Sequence, residues 1–128
     1  MSFKIENIAS AGNLEKERII IKVDKAGDAG EYILLRAIAD GKDGLAQSGH
    51  VSDGFWFPDE SEVVEGDLIV LYTKEGRRSR KKLSEGKTAH FFYWGRSEPI
   101  WDDEKHAAVL MKGEDYQIFH GPGKWAAT

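Results

Sequence analysis

Short runs of β-branched and aromatic residues, separated by turn-forming residues, recur along this chain of 128 residues. Fourteen glycines and only three prolines are scattered between the runs, which is typical of strands joined by tight turns. The spacing predicts an all-β fold in which seven or eight short strands form an antiparallel sandwich or barrel. The predicted strands cover residues 3–8, 18–23, 31–39, 55–57, 67–73, 89–94, 106–111 and 115–119.

Two of these runs, LIVLY at 68–72 and FFYW at 91–94, are apolar at consecutive positions. Consecutive apolar residues are typical of strands that are covered on both faces, so both runs are predicted to lie in the centre of the fold. Helix signals are weak by comparison. The best window is 9–18, where Ser10 is a candidate N-cap, but Gly12 and Asn13 interrupt it early.

Length and composition exclude several classes of protein. A chain of this length corresponds to one domain, predicted to span 1–119 and to be followed by a tail at 120–128 that Trp125 pins to the surface. The absence of cysteine excludes disulfide scaffolds, thiolate metal sites and cysteine nucleophiles. No apolar stretch approaches the roughly 20 residues that a membrane helix needs, and the first ten residues lack the pattern of a secretory signal. We therefore expect an intracellular, cytoplasmic protein that does not bind a membrane.

Three segments from Phe55 onward form a recognisable pattern: FWFPDESEVVEGDLIVLYTKEG, then HFFYWG, then EPIWDDEKHAAVLMKGEDY. This pattern resembles the lamin tail domain family. The residues at matching positions are Phe57, Pro58, Gly66, Asp67, Pro99, Trp101, Asp102, Ala108, Val109, Leu110 and Gly113. The resemblance implies an immunoglobulin-like antiparallel β-sandwich of seven to nine strands. Since the family includes nuclear lamina tails and bacterial domains attached to unrelated enzymes, it implies an interaction module without a conserved catalytic set.

The acidic segment 98–106 is the most obvious candidate for metal binding. Asp102, Asp103 and His106 could supply two carboxylates and an imidazole to a cation. Both aspartates are also typical turn residues ahead of the strand at 106–111, so we interpret the segment as a solvated turn. The four histidines form no known metal motif, although His106 and His120 would meet if their strands paired. We predict no metal and no cofactor.

Residues that lie close together in the sequence do not indicate a catalytic site. Ser48, His50, Ser52 and Asp53 bring the residue types of a triad within six positions, but a triad requires converging geometry and adjacent side chains usually point apart. Four acidic residues before the strand at 67–73 are predicted to form a solvated face: Asp59, Glu60, Glu62 and Glu65. We therefore expect a protein that is not an enzyme.

The aromatic residues allow two interpretations. They could form a stacking platform for bases or sugars, but core packing explains them better because aromatic side chains supply much of the buried area in a small sandwich. Since strand residues alternate between faces, one or two rings are expected to reach solvent. The rings in question are Phe55, Trp56, Phe57, Phe91, Phe92, Tyr93, Trp94 and Trp101.

Charge is distributed unevenly along the chain. Residues 74–87 hold seven basic and two acidic residues, net +5, whereas the other 114 residues hold eleven basic and twenty acidic residues, net −9. The segment is predicted to be an exposed loop, either a solvated hairpin or a contact for anions or nucleic acid. The candidate contact residues are Arg77, Arg78, Arg80, Lys81 and Lys82.

These observations favour a non-catalytic interaction module with a protein partner. Self-association through an exposed strand edge is a version of the same hypothesis. The main alternative is an accessory domain that binds nucleic acid or anions through the basic segment at 77–82. A metal-dependent hydrolase that uses the acidic segment is the minor alternative.

Overall fold

Two packed β-sheets make up the part of the chain that the computed structural model describes, which is residues 1–39, 46–119 and 121. The strands are β1 Phe3–Ala9, β2 Arg18–Val23, β3 Tyr32–Ala39, β4 Ala46–Trp56, β5 Leu68–Tyr72, β6 Ser79–Lys82, β7 Thr88–Tyr93 and β8 His106–Lys112. The only helical elements in this part are two three-residue 3-10 turns, Ala29–Glu31 and Ser84–Gly86. The prediction of an all-β sandwich with seven to nine strands is therefore confirmed.

The larger sheet has five strands in the order β1-β2-β5-β7-β6, and the smaller sheet has three in the order β4-β3-β8. Every neighbouring pair is antiparallel except β5 and β7, which run parallel. A parallel pair needs a crossover, and residues 73–87 supply it with β6 inside them. As the sequence predicts, β5 and β7 are internal strands.

The core lies between the inner faces of the two sheets. Ile19 and Ile21 from β2 are fully buried, and so are Leu71 from β5 and Leu34 from β3. Phe57 meets Phe92 edge to face with ring centroids 5.2 Å apart. The interpretation of the aromatics as core residues is confirmed for Phe57, Phe92 and Trp101, which are all buried, and Trp56 is an expected exposed ring at 48%.

Two of the predicted strands differ from the structure, and the window with weak helix signals is a turn. The window 9–18 forms no helix because the chain turns there, with Ser10 and Gly12 at positive φ angles of 53° and 92°. The strand predicted at 55–57 is the end of the 11-residue β4, whose polar first half carries no strand pattern. Residues 115–119 form no strand and are exposed, since no neighbouring strand pairs with them. The predicted tail at 120–128, with Trp125 and His120, lies outside the described residues apart from Gly121.

A buried carboxylate holds three distant segments together. The Glu17 side chain, which is 0% exposed, accepts hydrogen bonds from the backbone N–H groups of Gly12 at 2.9 Å, Ile100 at 2.9 Å and Trp101 at 3.2 Å. The Thr73 hydroxyl donates to the same carboxylate. Four donors offset the cost of burying this charge. The carboxylate therefore ties the turn after β1 to the end of β5 and to the segment before β8.

Replacing Glu17 with Ala is expected to lower the free energy of unfolding by about 3 kcal/mol or more, because it leaves buried donors without an acceptor. The matched control is Glu15→Ala, since the Glu15 carboxylate is exposed and contacts Lys74 at the surface, at 3.3 Å. That control should change the free energy by less than about 0.5 kcal/mol. Urea denaturation measures both values, and equal effects of the two substitutions would contradict this role for Glu17.

Candidate functional site

The basic segment is an edge strand rather than a loop at residues 79–82. β6 pairs antiparallel with β7, and its other side has no partner strand among the described residues. The loop prediction is wrong there because these four residues, although charged, continue the crossover alongside β7. The predicted exposure is confirmed for all five candidates, Arg77, Arg78, Arg80, Lys81 and Lys82.

Two of these cations are already neutralised by acidic residues of the connection between β4 and β5. Arg78 contacts the Glu60 carboxylate at 2.8 Å, and Arg80 contacts Glu62 at 2.7 Å and Glu60 at 3.9 Å. Glu60 is only 7% exposed, so the prediction of a fully solvated acidic face is wrong at this position. A carboxylate this buried requires the guanidinium charges beside it.

A second side-chain pair lies deeper in the fold. His90 on β7 and Asp67 before β5 are both about 1% exposed, and their side chains are 3.0 Å apart. Asp67 also accepts hydrogen bonds from the backbone N–H groups of Thr88 at 3.0 Å and Val64 at 3.1 Å. The other ring nitrogen of His90, Nδ1, has no hydrogen-bond partner among the described residues. A surface cavity of about 500 Å³ lies over the neighbouring residues Glu60, Arg78, Ser79 and Arg80.

Electrostatics in this cluster favour the ionised carboxylates. Burial raises the pKa of Glu60, but the hydrogen bond from Arg78 and the charges of Arg80 and Arg78 outweigh it and hold the pKa below its usual value. Burial also raises the pKa of Asp67, but its hydrogen bonds with His90, Val64 and Thr88 bring the pKa below the usual value as well. Each ionised carboxylate therefore stabilises the folded state, and the cluster fastens β6 and β7 to the connection before β5.

The structure also brings Ser52 into contact with His106, which lies 54 residues further along the chain. The Ser52 hydroxyl is 3.1 Å from His106 Nε2, and His106 Nδ1 is 2.9 Å from an Asp103 carboxylate oxygen. Nearness in sequence accounts for the Asp103–His106 contact but not for the Ser52 contact, because Ser52 occupies a bulge in β4 while His106 begins β8. Sequence reasoning missed the Ser52 contact because pairing of β3 with both β4 and β8 creates it.

This Ser–His–Asp chain has the contacts of a triad but not the electrostatics. The hydrogen bond with His106 lowers the pKa of Asp103, and the Arg36 guanidinium, 3.2 Å from the same carboxylate, lowers it further. The Arg36 guanidinium already compensates the Asp103 charge. The Asp103 carboxylate therefore stabilises a protonated histidine less than a carboxylate without a neighbouring cation would.

The acidic segment that is the candidate for metal binding forms a turn at Asp102 and Asp103, as the sequence predicts. Asp103 bonds to His106 and Arg36, whereas Asp102 lies against Gly12, where an added Cβ would be 3.4 Å from the Asp102 Cβ. The two aspartates therefore contact different partners. Within residues 1–39, 46–119 and 121, no group of three acidic or histidine side chains is placed to hold a metal ion.

The outer face of the smaller sheet is unusually apolar. Residues that pair across its three strands share this face, and three successive rows contain no polar side chain. The rows are Trp56–Ile33–Met111, Gly54–Leu35–Val109 and Val51–Ala37–Ala107. Trp56, Met111 and Val51 are about half exposed, at 48%, 50% and 50%. Tyr116 touches one end of the face, with its ring centroid 4.8 Å from that of Trp56.

Comparisons with protein-family models, with curated proteins and with solved structures give no match for this chain. The described residues contain no helix of the length and apolar character needed to cross a bilayer.

The buried carboxylates predict a loss of stability in acid. Because the folded pKa values of Glu60 and Asp67 are lowered, the unfolded chain binds more protons, so their contribution is complete above the usual carboxyl pKa of about 4 and disappears as the pH falls through the folded values. The melting temperature should therefore fall steeply below about pH 4.5. Glu60→Gln and Asp67→Asn should each flatten this decline, and curves parallel to that of the unsubstituted protein would contradict the assignment.

The Ser52 hydroxyl should not react as a catalytic nucleophile. Incubation with a fluorophosphonate probe, followed by intact mass measurement, is expected to show no stoichiometric adduct, because the imidazole beside Ser52 lacks an uncompensated carboxylate. The Ser52→Ala variant is the matched control. Rapid labelling that disappears in this variant would instead identify a serine hydrolase.

Proposed function

We propose that this chain is a non-catalytic protein-binding module and that the outer face of β4, β3 and β8 is its docking surface. The observation that carries the proposal is the set of three apolar cross-strand rows on that face. We call these nine residues the small-sheet face.

An antiparallel sheet that faces water alternates apolar and polar residues, whereas a sheet covered on both faces is apolar on both. β3 follows the second pattern, since Tyr32 and Leu34 point into the core while Ile33 and Leu35 point away from it. Both outward side chains are only partly buried. The composition of β3 therefore suits a strand whose second face is covered in a complex.

The side chains at the exposed end of the small-sheet face suit a protein partner. Trp and Met are enriched in protein interfaces, where large apolar side chains fill pockets of the partner. Ion pairs lie beside this end, because Lys112 contacts Glu31 at 3.8 Å and Glu114 at 3.2 Å. An apolar centre with a charged margin is the usual organisation of an interface.

The resemblance to the lamin tail domain family supports the same proposal, and we propose membership of that family. Its matching residues have structural roles here: Phe57 and Trp101 are buried in the core, Gly66 adopts a φ of +90°, and Asp67 accepts hydrogen bonds. Motif residues with such roles preserve a fold and leave the surface free to vary. That is the behaviour expected of an interaction module.

Met111→Lys tests the docking surface with little risk to folding, because Met111 is half exposed. A photo-crosslinking residue at position 111, expressed in the native cell, should capture a specific protein. The purified partner should bind the unsubstituted chain at micromolar concentration or tighter, and Met111→Lys should weaken binding at least tenfold by placing a charge in an apolar contact.

Val64→Lys is the matched control, since Val64 is 49% exposed and lies on the connection before β5, away from the small-sheet face. It should change the affinity less than twofold. Sedimentation of the purified chain identifies a second copy as the partner if a dimer forms and Met111→Lys dissociates it. Equal capture at positions 64 and 111, or equal affinity of the two variants, would overturn the proposal.

A further inference from the structure

The outer face of the five-stranded sheet differs in chemistry from the small-sheet face. Strand alternation places the buried residues Ile19, Ile21 and Leu71 on the inner face and their neighbours on the outer face. Three cross-strand rows follow from the registers. They are Lys4–Lys22–Leu68–Ala89–Lys81, Asn7–Ile20–Val70–Phe91–Ser79 and Ala9–Arg18–Tyr72–Tyr93. We call this surface the large-sheet face.

Three aromatic rings lie together on the large-sheet face. Tyr72 stacks on Tyr93 with centroids 5.3 Å apart and planes 13° apart, and Phe91 lies 6.3 Å from Tyr72. All three rings are partly exposed. The main chain of the basic segment crosses one edge of this group, because a Cβ at Gly76 would lie 2.4 Å from the Tyr93 ring.

Cations surround these rings. Arg18 lies 5.9 Å and Lys74 5.3 Å from the Tyr72 ring centroid. Lys81 lies at the β6 end of the sheet and has no ion pair among the described residues. Lys4 and Lys22 complete the set on β1 and β2.

Two carboxylates form ion pairs with these cations. Asp24 contacts Lys4 at 3.3 Å and Lys22 at 3.9 Å, and Glu15 contacts Lys74 at 3.3 Å. Surface ion pairs of this kind contribute little to the stability of the fold, and competing anions displace them readily. The exposed bulge residue Glu6 of β1, whose neighbour Ile5 packs against the core, adds a third carboxylate. Five cations and three carboxylates therefore leave the large-sheet face with a net charge of +2, on a chain whose total is −4.

We propose that the large-sheet face binds single-stranded polynucleotides. Unpaired bases stack on aromatic side chains while lysine and arginine contact the phosphates, and that combination suits the partly exposed rings and the cations around them. Duplex DNA would leave the rings unused, since its bases stack on one another. Adjacent strands lie about 4.8 Å apart, so the five strands span the length of a few nucleotides.

This site is separate from the proposed protein-docking surface, because the two occupy opposite outer faces of the sandwich. It also differs from a contact through the basic segment alone. Arg78 and Arg80 pair with Glu60 and Glu62, and of the five candidate cations only Lys81 belongs to a row of the large-sheet face.

Fluorescence anisotropy with labelled 12-nucleotide oligothymidine and oligouridine tests the proposal on the full chain. Binding is expected in 50 mM salt for one or both probes, which differ in the 2′-hydroxyl of the sugar and in the C5-methyl group of the base. If four cations contact phosphates, the salt slope is about −2.8 and affinity falls about 50-fold by 200 mM salt. An abasic oligomer of equal length should bind at least tenfold more weakly, because it cannot stack.

Three variants separate stacking from general charge attraction. Tyr72→Leu keeps an apolar side chain but removes a stacking ring, and should weaken binding at least fivefold. Lys81→Gln should reduce the salt slope by about 0.7. Lys82→Gln is its matched control, since the next residue of the same exposed strand points to the opposite face, and it should leave the slope unchanged.

Melting temperatures must stay within a few degrees for these variants to be compared, and Phe91→Leu replaces Tyr72→Leu if the latter unfolds. Absence of binding at 50 mM salt would overturn the proposal. Preference for duplex DNA would also overturn it, as would equal binding of the abasic oligomer or equal effects of Lys81→Gln and Lys82→Gln. Equal displacement of the probe by heparin and by unlabelled oligonucleotide at matched charge would likewise show polyanion attraction alone.

Discussion

The parallel pairing of β5 with β7 decides where the charged segments of this protein lie. Because two parallel neighbours cannot be joined by a hairpin, the chain must leave Tyr72 and return to the opposite end of the sheet before Thr88. The basic residues lie on that crossover, and β6 within it forms the edge of the large sheet. The same pairing aligns Tyr72 with Tyr93, so that their rings stack on the large-sheet face.

An edge strand with so many cations requires acidic partners, and the connection before β5 supplies them. Glu60 is buried against Arg78 and Arg80, and Asp67 is buried against His90 one strand further in. These contacts fasten the crossover to the rest of the fold while reducing its free positive charge. Of the cations of the crossover, Arg78 and Arg80 are thus held by acidic partners, whereas Lys81 lies on the large-sheet face.

In both sheets, successive side chains of a strand point alternately into the core and outward, but the outward residues of the two sheets differ in chemistry. On the small sheet the outward positions are apolar, and on the large sheet they are aromatic at one end and cationic around it. The fold therefore presents two chemically distinct surfaces on one sandwich. The Ser52, His106 and Asp103 chain shows why contacts alone do not define an active site, since Arg36 compensates the carboxylate on which the histidine would depend.

Local pattern by itself determined the fold class and the central position of β5 and β7, because β-branched runs and turn residues act over a few neighbours. It also determined which five cations are exposed. Tertiary structure alone decided that Glu60 is buried, that β4 extends back to Ala46 and that Ser52 meets His106. Each of these three features forms because sheet pairing brings together segments that are distant in the chain. The register of that pairing depends on both segments and cannot be predicted from either one alone.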